Sequence, residues 1–262
     1  MVGNTLRYAV DMLKANMKAA ATLRGAYITR SIFNITNHSI YLSLWVLIFD
    51  AIPSIGGWRV EHILLAYGLG IFAWGFLSFA AFGIRTLPRQ IDDGELDTYL
   101  TQPKPVLLNV ALGTTQTVGP PEMIFGGVVL TIAGVMTGVS ILMLLLMTVC
   151  TTVVFTSLVL AYGSLGFWLK GFHGNAEEIY FNFFIIATRP EAVFHGWMLV
   201  MIFTFMPVAF MAHVPLHVLL DNNMNALLLL LSATTLIALI SYKIFKLGLS
   251  RYESGNRFGV RG

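Results

Sequence analysis

Charge is what this sequence has least of. Only 11% of its 262 residues are Asp, Glu, Lys or Arg, while 56% are hydrophobic. A soluble domain carries about 25% charged residues. A soluble fold of this composition would have too few polar groups to cover its surface. Disorder is excluded by the opposite excess, of apolar surface. Cysteine is nearly absent as well. Cys150 stands alone, so no disulfide framework closes within the chain. There is no Gly-x-x-x-x-Gly-Lys-Ser/Thr to hold ATP by a P-loop. Nor is there a Gly-x-Ser-x-Gly, a His-Glu-x-x-His, or a Ser/Lys or Cys/His constellation. The net charge of +3 is too small to point to nucleic acid. What remains is an all-α, polytopic membrane protein of one domain, residues 1–262.

A spanning helix needs roughly 20 mostly apolar residues. Six windows between charges qualify: 31–51, 62–83, 123–138, 140–169, 192–212 and 225–244. If the N-terminus faces the cytoplasm, an even number of spans returns the C-terminus there. The inner segments then hold every Lys and Arg of the 16 except Arg59, which leaves 15 inside. Loop cations favour the cytoplasmic side. The expectation is therefore a multi-pass protein of a prokaryotic inner (cytoplasmic) membrane, with both termini cytoplasmic.

The first thirty residues hold six charges and no uninterrupted apolar core, so they are not a signal peptide. Leu6, Val10, Leu13 and Met17 repeat at helical spacing beside a stripe of Arg7, Asp11, Lys14 and Lys18. That pattern predicts an amphipathic helix on the membrane surface over 4–30, the alternative being a floppy charged tail.

The loop between the second and third windows is the most informative. Asp92 with Glu95 three residues on resembles a capping box. Leu96 and Leu100 lie one turn apart with Tyr99 beside them, and Pro103 and Pro105 stop the helix. A short helix over 91–100 with an apolar ridge is expected, either docking a partner or packing on its own bundle. The acidic cluster of Asp92, Asp93, Glu95 and Asp97 lacks the ligand alternation of a calcium loop and reads as a solvated helix start. His213 and His217 are four apart, but Pro215 between them breaks the face, so no metal is assigned.

Ionisable groups inside the windows are nearly missing. Asn34, Asn37 and His38 share one face of the first span and either line a polar path or bond to neighbouring helices. Glu122 follows Pro120-Pro121 at the start of the third. Pro207 should kink the fifth. Gly134 and Gly138 form a small-xxx-small step.

The pattern Ile91-x-x-Gly94-x-Leu96-x-x-Tyr99-Leu100-x-x-Pro103 resembles permease subunits of ABC-2 type transporters, in the compact six-span, type V exporter-like sub-family. Three further stretches resemble it in order: Gly166-Phe-Trp168; Arg189-Pro190-Glu-Ala-Val-Phe194 followed by Met206-Pro207; and Gly248-Leu-Ser-Arg-Tyr252-Glu-Ser254-Gly255. Arg189 stands where that family more often has a neutral or aromatic residue. The resemblance implies a permease that pairs with a second permease chain, identical or homologous, above two cytoplasmic ABC ATPase subunits. ATP and Mg would be bound by those subunits, with no cofactor in this chain. The 91–100 segment would couple the two, through Ile91, Asp92, Gly94, Glu95, Leu96, Tyr99, Leu100 and Pro103. The substrate moved outward would be a small molecule, drug, peptide or lipid-like compound. Competing readings are an ion-coupled secondary transporter, disfavoured by the shortage of midplane carboxylates, an intramembrane enzyme, and a scaffold that moves nothing.

Overall fold

The computed structural model describes residues 2–21 and 24–252. The tail residues 253–255, Arg257 and Arg261 lie outside the described residues. Among the described residues, thirteen α-helices follow one another: α1 (Val2–Ala21), α2 (Arg24–Ala51), α3 (Val60–Ala80), α4 (Phe82–Arg85), α5 (Leu87–Asp92), α6 (Leu96–Leu100), α7 (Val106–Gly113), α8 (Gly119–Thr137), α9 (Ile141–Gly163), α10 (His173–Ala187), α11 (Trp197–Phe203), α12 (His213–Asp221) and α13 (Met224–Leu249). No strand occurs among the described residues. The protein is an all-α polytopic membrane protein.

Local chemistry sets several boundaries. The third window opens at Gly119 because Pro120 and Pro121 fit a first helical turn, whose amides have no intrahelical acceptor. Gly138, at φ +68, ends α8 in the left-handed region that glycine adopts at little cost. Ser140 caps α9 through the Met143 amide, and Asn223 caps α13 through that of Ala226.

α3 is the centre of the bundle. Ile63, Leu65, Leu69 and Leu77 are fully buried on it. α8 lies along one side with the two backbones almost touching. A Cβ at Gly75 would stand 2.7 Å from the Met123 nitrogen, and one at Gly119 2.6 Å from that of Phe79. Gly68, seven residues before Gly75, and Gly126, seven residues after Gly119, repeat the close approach. This seam is the tight small-residue contact, rather than Gly134 and Gly138. α9 covers another side of α3, and α13 packs on α9. α1 docks on α7: Tyr8 donates to Asn109 Oδ1 at 3.0 Å, and Asn16 donates to the Leu112 carbonyl at 2.9 Å. The described part of this helix ends at Ala21, and the spanning helix begins at Arg24 rather than at residue 31.

Among the described residues, five helices are long and apolar enough to cross a membrane: those spanning 25–51, 60–80, 119–137, 141–167 and 224–249. α11 and the 208–221 segment, bent by 63° at their break, would make a sixth if they formed one span. They do not, and the fifth span expected over 192–212 is corrected. The chain just before α11 and the end of α12 meet at one end of the bundle. His217 of α12 bonds Glu191 at 3.1 Å and Asp221 at 2.8 Å, and His195 and Asp221 line the same cavity. Between them the chain dips inward: Tyr162 on α9 donates to the Phe205 carbonyl at 2.7 Å, and Thr151 to that of Met211 at 2.7 Å. α11 and α12 thus form a re-entrant hairpin with Pro207 at its turn. Pro215 falls in the first turn of α12 and does not interrupt it.

α10, expected as part of a loop, climbs the bundle in place of that span. Its first residue, His173, meets Asp92. Tyr180 packs under Gly163, and Phe184 and Thr188 reach Gly70 in the middle of α3. Arg189 follows over the rings of Tyr41 and Trp45 on α2, at 5.9 and 5.6 Å, and Phe194 meets His213. Tyr180 and Phe183 are fully buried. Arg189 therefore leaves the set of cations placed with the 85–104 loop. The bundle has a corner end, carrying α4 to α7, and a cavity end, carrying residues 52–59 and the mouth of the hairpin.

Candidate functional site

The corner end begins where α3 breaks at Ala81. Arg85 then reaches across to α10. Its Nε lies 2.9 Å and its Nη2 2.7 Å from Glu177 Oε2, while the guanidinium covers the Trp74 ring at 4.4 Å. A two-pronged guanidinium–carboxylate pair fixes orientation as well as distance. Gln90, buried beside it, donates to the Gly83 carbonyl at 2.9 Å and to Thr86 Oγ1 at 2.8 Å. Leu87 is fully buried.

The segment expected as one helix over 91–100 is two. Gly94, at φ +72, turns the chain between α5 and α6. The Glu95 amide donates to the Gln90 carbonyl at 2.9 Å and the Gly94 amide to that of Ile91 at 3.2 Å. That pair of bonds is the C-terminal closure of a helix, so Asp92 ends α5 and does not cap α6. Its carboxylate is used elsewhere. One oxygen lies 2.6 Å from His173 Nδ1, and the other accepts from the Gly171 amide at 3.4 Å. Asp92 thereby pins the corner to the start of α10.

Leu96 is fully buried in the chain's own core, which removes it from any surface ridge. Its expected role as a partner-facing anchor is corrected accordingly: the period that placed it beside Leu100 was right for a single helix, but the Gly94 turn points it inward. Ile91 and Tyr99 are half-buried. Ile91 and Pro88 pack against Gly166, and Tyr99 packs over Gly113. Burial, with Glu95 and Tyr8 nearby, pushes the Tyr99 phenol up. What faces outward is polar: Asp93, Glu95, Thr98, Thr101, Gln102 and Pro103, with Leu100, 48% exposed, as the one large apolar group.

Three of the four stretches noted in the sequence converge here. Phe167, from Gly166-Phe-Trp168, packs between Phe245 and Tyr252 at 6.1 and 6.2 Å. Tyr252 in turn faces Asp97, and burial together with that carboxylate pushes its phenol up to about 12. The Arg189–Phe194 stretch and Pro207 do not join them; they belong to the cavity end and the hairpin. Arg85, His173, Glu177 and Tyr252 were missed as parts of this site. Arg85 and Glu177 are 92 residues apart, and no local spacing announces them.

Asn34, Asn37 and His38 do not act together. His38 faces inward, with Nδ1 2.6 Å from the Tyr67 hydroxyl, while Asn34 is half-buried and Asn37 exposed. At the cavity end, a cavity of about 470 Å³ is lined by Trp58, His62, Glu191, His213, His217 and Asp221 among others.

Residues 35–256 match the family model described as ABC-2 family transporter protein, and the chain belongs to that family. It is a multi-pass ABC transporter permease, of a family whose members work with ABC ATPase subunits. The comparison with curated proteins finds no match.

Proposed function

We propose that this chain is the membrane half of an ABC exporter, paired with a second permease chain and driven by two cytoplasmic ATPase subunits that hold ATP and Mg. The corner end then faces the cytoplasm of a prokaryotic cell, and the cavity end faces outward across the inner membrane. Both termini lie on the ATPase side. The observation that carries this reading is the braced corner. A stroke delivered by ATP-driven closure must pass through a rigid contact, and α5–α6 is held by the Asp92–His173 and Arg85–Glu177 pairs while its outer face is left for a partner. Leu100 supplies the apolar knob, and Asp93 and Glu95 the acidic rim. Ile91, Asp92, Gly94, Leu96 and Tyr99 act one layer behind, shaping and holding that surface. Pro103 ends it. The substrate class stays as broad as the sequence left it: a small molecule, drug, peptide or lipid-like compound.

Copurification with an ABC ATPase subunit from the same genome, followed by ATPase and transport assays in proteoliposomes, tests this. Leu100→Asp should weaken ATPase binding about 30-fold, the loss of one interface anchor worth about 2 kcal/mol. The permease should remain folded, because Leu100 makes little contact with its own core. Normal binding and normal transport by this variant would leave α6 a passive linker.

A further inference from the structure

His38 lies near the middle of α2, about 20 Å of helix from either end at 1.5 Å per residue. Across from it, on α8, is Glu122, only 4% exposed. His38 Nε2 and Glu122 Oε1 are 3.9 Å apart. That is too long for a hydrogen bond, and both His38 Nε2 and Glu122 Oε2 are buried without a hydrogen-bond partner. The Tyr67 hydroxyl from α3, 2.6 Å from Nδ1, holds the ring so that Nε2 turns to the carboxylate. Phe125 of α8 lies 5.7 Å from the imidazole, and Tyr41 stacks on Tyr67 at 4.9 Å. On the neighbouring wall, Arg189 sits over Tyr41 and Trp45. A carboxylate in the first turn of α8 is ordinarily explained by the helix dipole. The dipole does not account for an imidazole nitrogen and a carboxylate oxygen facing each other without partners.

We propose that His38 and Glu122 form an intramembrane proton-binding site that tethers α2 to α8. With one proton between them the pair is net neutral, as imidazolium with carboxylate or as imidazole with carboxylic acid. Removing that proton leaves a bare carboxylate among apolar groups, and adding another leaves a bare imidazolium. Either state is costly there unless water or movement relieves it. Movement is available to α2. Among the described residues, the side-chain hydrogen bond from α2 to another helix is His38–Tyr67, while Ser31, Ser39 and Ser43 bond to carbonyls of α2 itself. Proton loss would therefore open the groove between α2 and α8, of about 360 Å³, which is lined by Ile35, Pro121 and Val128. This goes beyond ATP-driven transport, and neither the corner nor the hairpin takes part in it.

The full chain in lipid nanodiscs tests the site by two readouts. Infrared difference spectra across a pH titration should show a buried carboxylic-acid band that disappears on deprotonation. Glu122→Gln should remove that band. His38→Gln should keep it with a shifted midpoint. Nitroxide spin labels at Ile35 and Val128, in a Cys150→Ala background, should report by pulsed EPR an open population whose ratio to the closed one changes about tenfold per pH unit on the titrating limb, as a single proton site requires. The dependence should be flat in Glu122→Gln. A band that survives Glu122→Gln, a midpoint unmoved by His38→Gln, or a spin-label distance indifferent to pH would each overturn the proposal.

Discussion

α2 and α3 are adjacent, apolar and long enough to cross the membrane, yet the bundle holds them in opposite ways. In the most apolar stretch of α3, 67% of residues are buried inside the protein; in that of α2, 11% are. The difference lies in small residues. Gly68 and Gly75 let α8 approach the α3 backbone directly, and Gly70 receives Phe184 and Thr188. α2 has Phe33, Ile40, Leu44 and Leu47 on its outer side and touches the rest through Ser31, His38, Tyr41, Leu42 and Phe49. Apolarity places a helix in the bilayer, and small-residue geometry decides whether it becomes scaffold or a movable element.

The sharpest way to break this contrast is to load both helices with volume. Gly75→Val should destabilise the bundle by about 1–3 kcal/mol or more, because the new side chain meets the Met123 nitrogen and Gly119 carbonyl, which are backbone and cannot swing aside. Ser39→Val on the exposed side of α2 should stay within about 0.5 kcal/mol. Thermal unfolding in detergent measures both, and equal losses would end the distinction.

A smaller effect is expected where the scaffold meets the corner. Arg85→Ala removes the two-pronged hydrogen bonding to Glu177 and uncovers Trp74, which should cost about 1–3 kcal/mol in the same assay. Arg85→Lys should recover only part of it, since an ammonium cannot reproduce the fork. Full recovery would mean that charge alone braces α10.

The smallest effect concerns Tyr252. Its phenol is held above the ordinary value of about 10, up to about 12, by burial and by Asp97. The neutral phenol is thus favoured in the docked state. That contribution is complete below pH ~10 and is lost as pH rises through the docked value. Limited proteolysis after Leu249 should increase over this alkaline window in the wild type. Tyr252→Phe should show no such rise.

Much of the architecture was legible. α3, α9 and α13 are long uninterrupted apolar runs, and such runs declare themselves. α10 was not legible, because its 15 residues include Glu177, Glu178 and Asn182, whereas the neighbouring 192–212 stretch is richer in Leu, Val, Met and Phe. The more apolar stretch is the hairpin, and the mixed one climbs the bundle. Tertiary burial of Tyr180 and Phe183 overrides the hydropathy of α10. The corner was half legible. Asp92 to Leu100 marked the right segment, but Gly94 reverses the inferred capping and turns Leu96 inward. His38 was singled out, while Glu122, 84 residues further on, has no sequence relation that would bring the two together.

The re-entrant hairpin also bears on how the chain is made. During synthesis, 192–212 presents enough apolar length to be inserted as a span of its own, and hydropathy alone cannot tell the insertion machinery otherwise. What holds the hairpin are contacts with helices on either side of it in the chain: the Tyr162 and Thr151 bonds from α9, and the wall made by Leu229, Ala233 and Leu236 of α13. The α13 side of that support becomes available only after the hairpin has been made. Until then, the hairpin has the α9 side of its support without the α13 side.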